Sequence, residues 1–168
     1  MIVIDSSSLI LLAKISILDN VTKNIQKNLV ITNQIYVETT AKHDTFDAKL
    51  IEKRTGEKII EIMKVKNSDL YIKIRDDFNL GRGEAEAIAL CLEKKIGLIT
   101  DDKKAMNACK ILKIKFTTVP NLLIRLYKKE LITKIESDLY LKKLERLGRY
   151  SNNVLQKTKE DLKNEKDE

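Results

Sequence analysis

The chain has 168 residues, of which 43% are hydrophobic and 34% charged, with a net charge of +7 and a pI near 9.3. That length suits one domain with a modest appendage, and no run approaches the roughly 18 apolar residues of a membrane span, so no membrane partner is expected. A single histidine, His43, and two cysteines, Cys91 and Cys109, exclude His-rich zinc chemistry and a disulfide framework.

The charge is uneven. Residues 1–109 carry 17 Lys+Arg against 16 Asp+Glu, and residues 110–168 carry 15 against 9. A basic C-terminal third beside a nearly neutral body fits either a polyanion partner or a solvated helical surface. The start, Met1-Ile2-Val3-Ile4, reaches Asp5 without the basic region of a signal peptide, so a cytoplasmic location is expected.

In chain order, residues 2–5 read as a short buried strand, followed by Ser6-Ser7-Ser8 and the helical pattern of residues 9–13. Residues 29–32 read as a second strand, with Asn33 as the cap of a helix carrying Ile35, Val37 and Glu38. Residues 45–56 read as helix, 59–62 as a third strand, and Asn67-Ser68-Asp69 as the opening of a helix to about Phe78. Gly81-Arg82-Gly83 precedes a long helix in which Ala85, Ile88, Ala89 and Leu92 recur with the helical period. Residues 96–100 form a strand, Asp101 or Asp102 opens the next helix, and 116–119 form a last short strand. Pro120 suits the start of a helix. Residues 121–164 then read as helical throughout, with breaks near Thr133 and at Gly148-Arg149-Tyr150-Ser151, and residues 163–168 as a frayed end. Short apolar strands alternating with helices predict an α/β fold, a mostly parallel sheet covered on both faces.

The chemistry-bearing residues are acids at element boundaries: Asp5, Glu38, Glu84 and the pair Asp101–Asp102. Each has an ordinary role available, since Asp is a good N-cap and a Glu in a helix's first turn is favoured by the dipole. Together they are harder to dismiss. Asp5 and Asp101–Asp102 follow strands directly, at the sheet edge where α/β folds bind ligands. Crowded carboxylates repel one another, and a hard divalent cation such as Mg²⁺ relieves that repulsion while keeping open positions for phosphate oxygens and water. Metal-assisted hydrolysis of a nucleic acid is the inferred chemistry.

Taken in order, Ile2-Val3-Ile4-Asp5-Ser6-Ser7, Glu38, Gly83-Glu84-Ala85-Glu86-Ala87-Ile88-Ala89 and Ile99-Thr100-Asp101-Asp102 resemble the PIN-domain nucleases, a family that includes the VapC-type toxins of toxin–antitoxin pairs. The resemblance covers residues 1 to about 125 and is similar to a prokaryotic branch with a helical tail. It implies a PIN-like three-layer sandwich with a central sheet of four or five short strands over residues 1–125. A basic helical extension over 126–168 would lie on or beside that domain. It also implies dependence on Mg²⁺ or Mn²⁺ and an RNA substrate.

Carried over residue by residue, it implies that Asp5, Glu38, Glu84 and Asp102 are the catalytic, metal-holding acids, with Asp101 able to support or replace Asp102. Ser7 and Thr100 match hydroxyl positions that steady such acids. Glu86 competes with Glu84, although the 18-residue step from Glu84 to Asp102 fits the family better, and a two-residue shift turns a helical side chain by about 200°. Arg82, Lys103 and Lys104 are candidates for contacting RNA phosphates. An antitoxin protein and a second copy in a homodimer are the protein partners the resemblance brings. The competing reading is a catalytically silent PIN scaffold that binds RNA or protein. A flavodoxin-like receiver ranks lower, because Lys115 precedes the last strand rather than following it.

Overall fold

A computed structural model describes residues 1–24 and 28–164; of the end expected to fray, residues 165–168 lie outside the described part. Five strands, β1 (Ile2–Ile4), β2 (Leu29–Thr32), β3 (Ile60–Met63), β4 (Gly97–Ile99) and β5 (Phe116–Thr117), form one parallel sheet in the order β3-β2-β1-β4-β5. The central strands are short because β1, β2 and β4 are a few apolar residues that end at Asp5, Thr32 and Thr100; β3, at the edge, carries Glu61 within it. Val3, Ile4, Val30, Ile31, Leu98 and Ile99 are fully buried, as expected of a sheet covered on both faces.

Among the described residues ten helices flank the sheet: α1 (Ser6–Lys14), α2 (Leu18–Asn24), α3 (Asn33–Thr40), α4 (Phe46–Gly56), α5 (Ser68–Phe78), α6 (Arg82–Lys94), α7 (Lys103–Ile111), α8 (Val119–Lys128), α9 (Lys134–Leu147) and α10 (Asn152–Lys163). Two differ from expectation. The short helix α2 is not legible in the sequence. The cap of α3 is Thr32, not Asn33: Thr32 keeps extended backbone angles and its Oγ1 accepts from Ile35 N at 3.3 Å, so Asn33 is already the first helical residue.

The connections position the site. From β1 the chain passes outward to β2 and β3, then returns through α5 and α6 to β4 on the other side of β1, and continues to β5. The chain therefore leaves β1 and β4 in opposite directions. A crevice outside the carboxyl ends of two such strands is the standard ligand position of open parallel sheets. Register keeps those ends level: Ile4 pairs with Ile99, and Asp5 N donates to Ile99 O at 3.1 Å. Asp5 and Thr100 thus emerge side by side.

Helix α6 lies on β1, β2 and β4. Its buried residues are mostly small (Gly83, Ala85, Ala87, Ala89, Cys91), which lets the helix approach the sheet closely. Running antiparallel to the strands, it begins at their carboxyl edge.

The division expected at residue 125 falls inside α8, and Tyr140, Leu141, Leu144 and Leu162 of the last two helices join the core cluster that contains the strands. The tail is tied further by Lys143 Nζ, which donates to Ile15 O at 3.0 Å. The basic excess of this segment sits on exposed positions, including Lys142, Arg146, Arg149, Lys157 and Lys159. Cys91 and Cys109 are buried and unpaired, and burial pushes the Cys109 thiol up to about 11, as suits small apolar fillers. His43 is exposed beside Glu52. Among the described residues, no helix is long and apolar enough to cross a membrane.

Candidate metal centre at the carboxyl edge of the sheet

Asp5 is the first residue after β1 and the N-cap of α1. Its Oδ1 accepts from Ser8 N at 2.7 Å and from the Ser7 hydroxyl at 3.1 Å. The residue is only 1% exposed, and its second oxygen, Oδ2, is buried with no hydrogen-bond partner. A buried carboxylate oxygen left unpaired is costly, and native structures rarely keep one without a use. Burial pushes the Asp5 carboxyl above its ordinary value, opposed in part by the neighbouring Thr100 hydroxyl and by Ser8 and Ser7.

Asp102 repeats the pattern at the end of β4. It caps α7, with Oδ1 accepting from Ala105 N at 2.8 Å, while its own N–H donates to Thr100 Oγ1 at 3.1 Å. No described residue donates to Asp102 Oδ2. Glu84 sits in the first turn of α6, where Oε2 accepts from Gly81 N at 2.6 Å and Oε1 has no donor among the described residues. Burial raises its carboxyl above the usual range; repulsion from Asp102, Asp5 and Glu38 adds to this, and the Gly81 N–H opposes it. These four acids, scattered over the sequence, therefore share one electrostatic environment.

Glu38, on α3, reaches the same place from the other side. Its carboxylate accepts from the Ser6 hydroxyl and from Gln34 Nε2 (3.0 Å). It also lies against α6: a Cβ added at Gly83 would stand 2.6 Å from Glu38 Oε2. Gly83 thus leaves room for the Glu38 carboxylate, which any Cβ there would push aside.

Asp101 is used differently. Oδ1 accepts from Val119 N at 3.1 Å, and Oδ2 accepts from the Tyr150 hydroxyl at 2.8 Å and the Ser8 hydroxyl at 3.4 Å. Burial raises its carboxyl, as does the Asp5 charge, with Tyr150 and Val119 opposing. Glu86 is half-buried on α6 and makes no hydrogen bond to a described residue. Ser7 and Thr100 stand beside Asp5 and Asp102 as supporting hydroxyls. Arg82, Lys103 and Lys104 are exposed at the starts of α6 and α7, with Lys104 Nζ donating to Asn79 O at 3.2 Å. Sequence reasoning missed the second tie on Glu38 (Ser6), the bridge between Asp5 and Asp101 (Ser8) and Tyr150. The serines were visible beside Asp5; nothing local marked Tyr150, whose partner is 49 positions away.

The donor set is all oxygen, as Mg²⁺ or Mn²⁺ prefers, and the Asp5 charge bears on both Glu84 and Asp101. The residues fit a hard divalent cation in chemistry. Among the described residues, no three acidic, histidine or cysteine side chains are arranged to hold a metal ion as they stand; Glu84 and Glu38 are turned onto protein donors.

Acids from four elements gather at the topological switch point of this parallel sheet. The model of the DUF3368 PIN-domain family matches residues 1–164, and the chain belongs to that family. Among solved structures, the crystal structure of PAE2754 from Pyrobaculum aerophilum matches with a TM-score of 0.57 at 19% identity, covering 75% of this chain and 94% of that chain. That likeness bears on the fold. The comparison with curated proteins returned no match.

Proposed function

We propose that this PIN domain is a Mg²⁺- or Mn²⁺-dependent endoribonuclease. The observation that carries the reading is Asp5 Oδ2, a buried oxygen beside the Thr100 hydroxyl to which no donor closes a hydrogen bond, on an acid that lies, with Asp102 and Glu38, close enough to Glu84 for their charges to repel. Asp5, Glu84 and Asp102 would hold the cation through the oxygens their helices leave free, and Glu38 would join on turning from Gln34. When bound, the cation supplies charge neutralisation at a phosphate oxygen and a readily ionised water. Ser7 and Thr100 fix the orientation of the acids; Arg82, Lys103 and the basic tail attract the RNA backbone. Within this reading the chain is a VapC-like toxin acting in the cytoplasm, restrained by an antitoxin protein, with self-association as a homodimer.

The test incubates purified protein with a pool of structured and unstructured RNAs in Mn²⁺ or EDTA. Cleavage that needs Mn²⁺ and disappears in Asp5→Asn and Glu84→Gln supports the reading; metal-independent or variant-insensitive degradation refutes it. A second reading, a silent PIN scaffold that binds RNA or protein, draws on the internal engagement of Glu84 and Glu38. It predicts RNA retention without cleavage.

A further inference from the structure

Two adjacent aspartates end β4, and the fold treats them oppositely. Asp102 gives one oxygen to the start of α7 and keeps the other free. Asp101 has both oxygens occupied by three donors from three elements: the backbone of α8, the hydroxyl of Ser8 in α1 and the hydroxyl of Tyr150 between α9 and α10. Tyr150 is the closest of the three. It comes from a segment remote in sequence, half-buried, with its ring against Gly148.

Asp101 is nevertheless near the cation site. The residue that donates its backbone N–H to Asp5 Oδ1, Ser8, also donates its hydroxyl to Asp101 Oδ2. Removing the Tyr150 hydroxyl leaves Asp101 Oδ2 with Ser8 alone, at 3.4 Å, which is beyond the usual range for an O–H···O bond. A half-buried carboxylate with so weak a partner seeks another, and a cation held by Asp5 and Asp102 would offer one close by, since Ser8 bonds both Asp5 and Asp101.

We propose that Tyr150 is a positioning residue that commits Asp101 to the scaffold, so that Asp102 alone of the pair is offered to the cation. The inference rests on the metal-binding reading above and adds to it a role for the helical tail: the tail selects the ligand. The hydroxyl is the operative group, and the ring supplies packing.

The experiment measures Mn²⁺ binding to full-length protein by calorimetry and by the Mn²⁺-induced rise in melting temperature, with no substrate present. In the wild-type background, Asp102→Asn is expected to weaken Mn²⁺ by about 10-fold or more, the scale on which a metal site responds to a lost partner. In the Tyr150→Phe background, the same Asp102→Asn change is expected to cost less than about 3-fold, because Asp101 takes its place, and adding Asp101→Asn restores the full loss. Tyr150→Phe keeps the ring, so circular dichroism should report an unchanged fold. An Asp102→Asn change that costs as much in the Tyr150→Phe background as in wild type would overturn the role of Tyr150 and leave the metal site standing. If wild type itself fails to bind Mn²⁺, both readings fall.

Discussion

Replacing Asp5 by Asn separates the structural use of this residue from its chemical one. As the cap of α1, Asp5 uses Oδ1, and an Asn carbonyl oxygen at the same place serves equally well, since Asn and Asp rank together as N-caps. Removing the charge relieves a buried carboxylate, where one unit of raised pKa corresponds to about 1.4 kcal/mol. Placing an amide NH₂ where Oδ2 had no donor costs about 1–3 kcal/mol if it finds no acceptor. These oppose each other, so metal-free Asp5→Asn should stay within about 1 kcal/mol of wild type, or roughly 2–4 °C for a chain of this size.

The response to metal should differ sharply. With Mn²⁺ at about 100 times its dissociation constant, wild type gains about 2.7 kcal/mol, or roughly 5–11 °C. If loss of the free oxygen weakens binding about 100-fold, the same Mn²⁺ stabilises Asp5→Asn by only about 0.4 kcal/mol. Thermal melts in EDTA and in Mn²⁺ measure both quantities. Asp5→Ala is the contrasting variant: it loses the cap as well and should fall by about 1 kcal/mol without metal. An Asp5→Asn protein that gains as much from Mn²⁺ as wild type does would refute the assignment of Oδ2.

Other residues give equally specific expectations. Glu84→Gln keeps an acceptor for Gly81 N and should hold its stability within about 0.5 kcal/mol while losing cleavage, whereas Glu84→Ala also loses about 1 kcal/mol of helix capping; denaturation and RNA cleavage together distinguish them. Gly83→Ala should leave the fold as stable or up to about 1 kcal/mol more so, but its Cβ displaces the Glu38 carboxylate, so Mn²⁺ affinity and cleavage should fall while the melting temperature in EDTA does not. For pH, the folded carboxyls of Asp5, Glu84 and Asp101 are all raised. The native state therefore binds protons more readily than the unfolded chain, and these groups stabilise most below their unfolded values near pH 4. Their contribution should decline as pH rises through the folded values. Melts in EDTA taken upward from about pH 4 should show this as lower stability, Asp5→Asn should flatten the trend, and Mn²⁺, which binds the deprotonated acids, should oppose it.

The sheet was legible because its central strands are short apolar runs ended by polar residues, and the five described strands lie within a residue or two of where the pattern puts them, as with Ile60–Met63 against the expected 59–62. Helix α2 escaped because seven residues with two buried side chains, Leu18 and Val21, leave too little periodicity to read. Thr32 ends a strand and caps a helix at once, a double use that its sequence neighbours do not mark, while the Asn33 beside it has the stronger intrinsic preference for a cap. In the site, the order of acids was visible while their individual states were not. Whether Asp101 or Asp102 keeps a free oxygen depends on Val119 and Tyr150, and no local pattern places a tyrosine from the tail beside the end of β4.

The structural and chemical explanations of these acids are not alternatives. Asp5 and Asp102 are caps, and Glu84 bonds the start of its own helix; the ordinary role of each is fulfilled. A carboxylate has two oxygens, however, and a helix start needs only one. In all three residues one oxygen is fixed by a backbone N–H at 2.6–2.8 Å, and the other accepts from no described residue. The first bond ties each acid to its helix start, and the positive ends of α1, α6 and α7 lessen the repulsion among the three anions. Helix capping thus leaves half-used acceptors near the carboxyl ends of β1 and β4, which a cation would still have to draw together. Asp101, with both oxygens spent, and Glu38, held by two side chains, belong to the frame around them until a partner lets go.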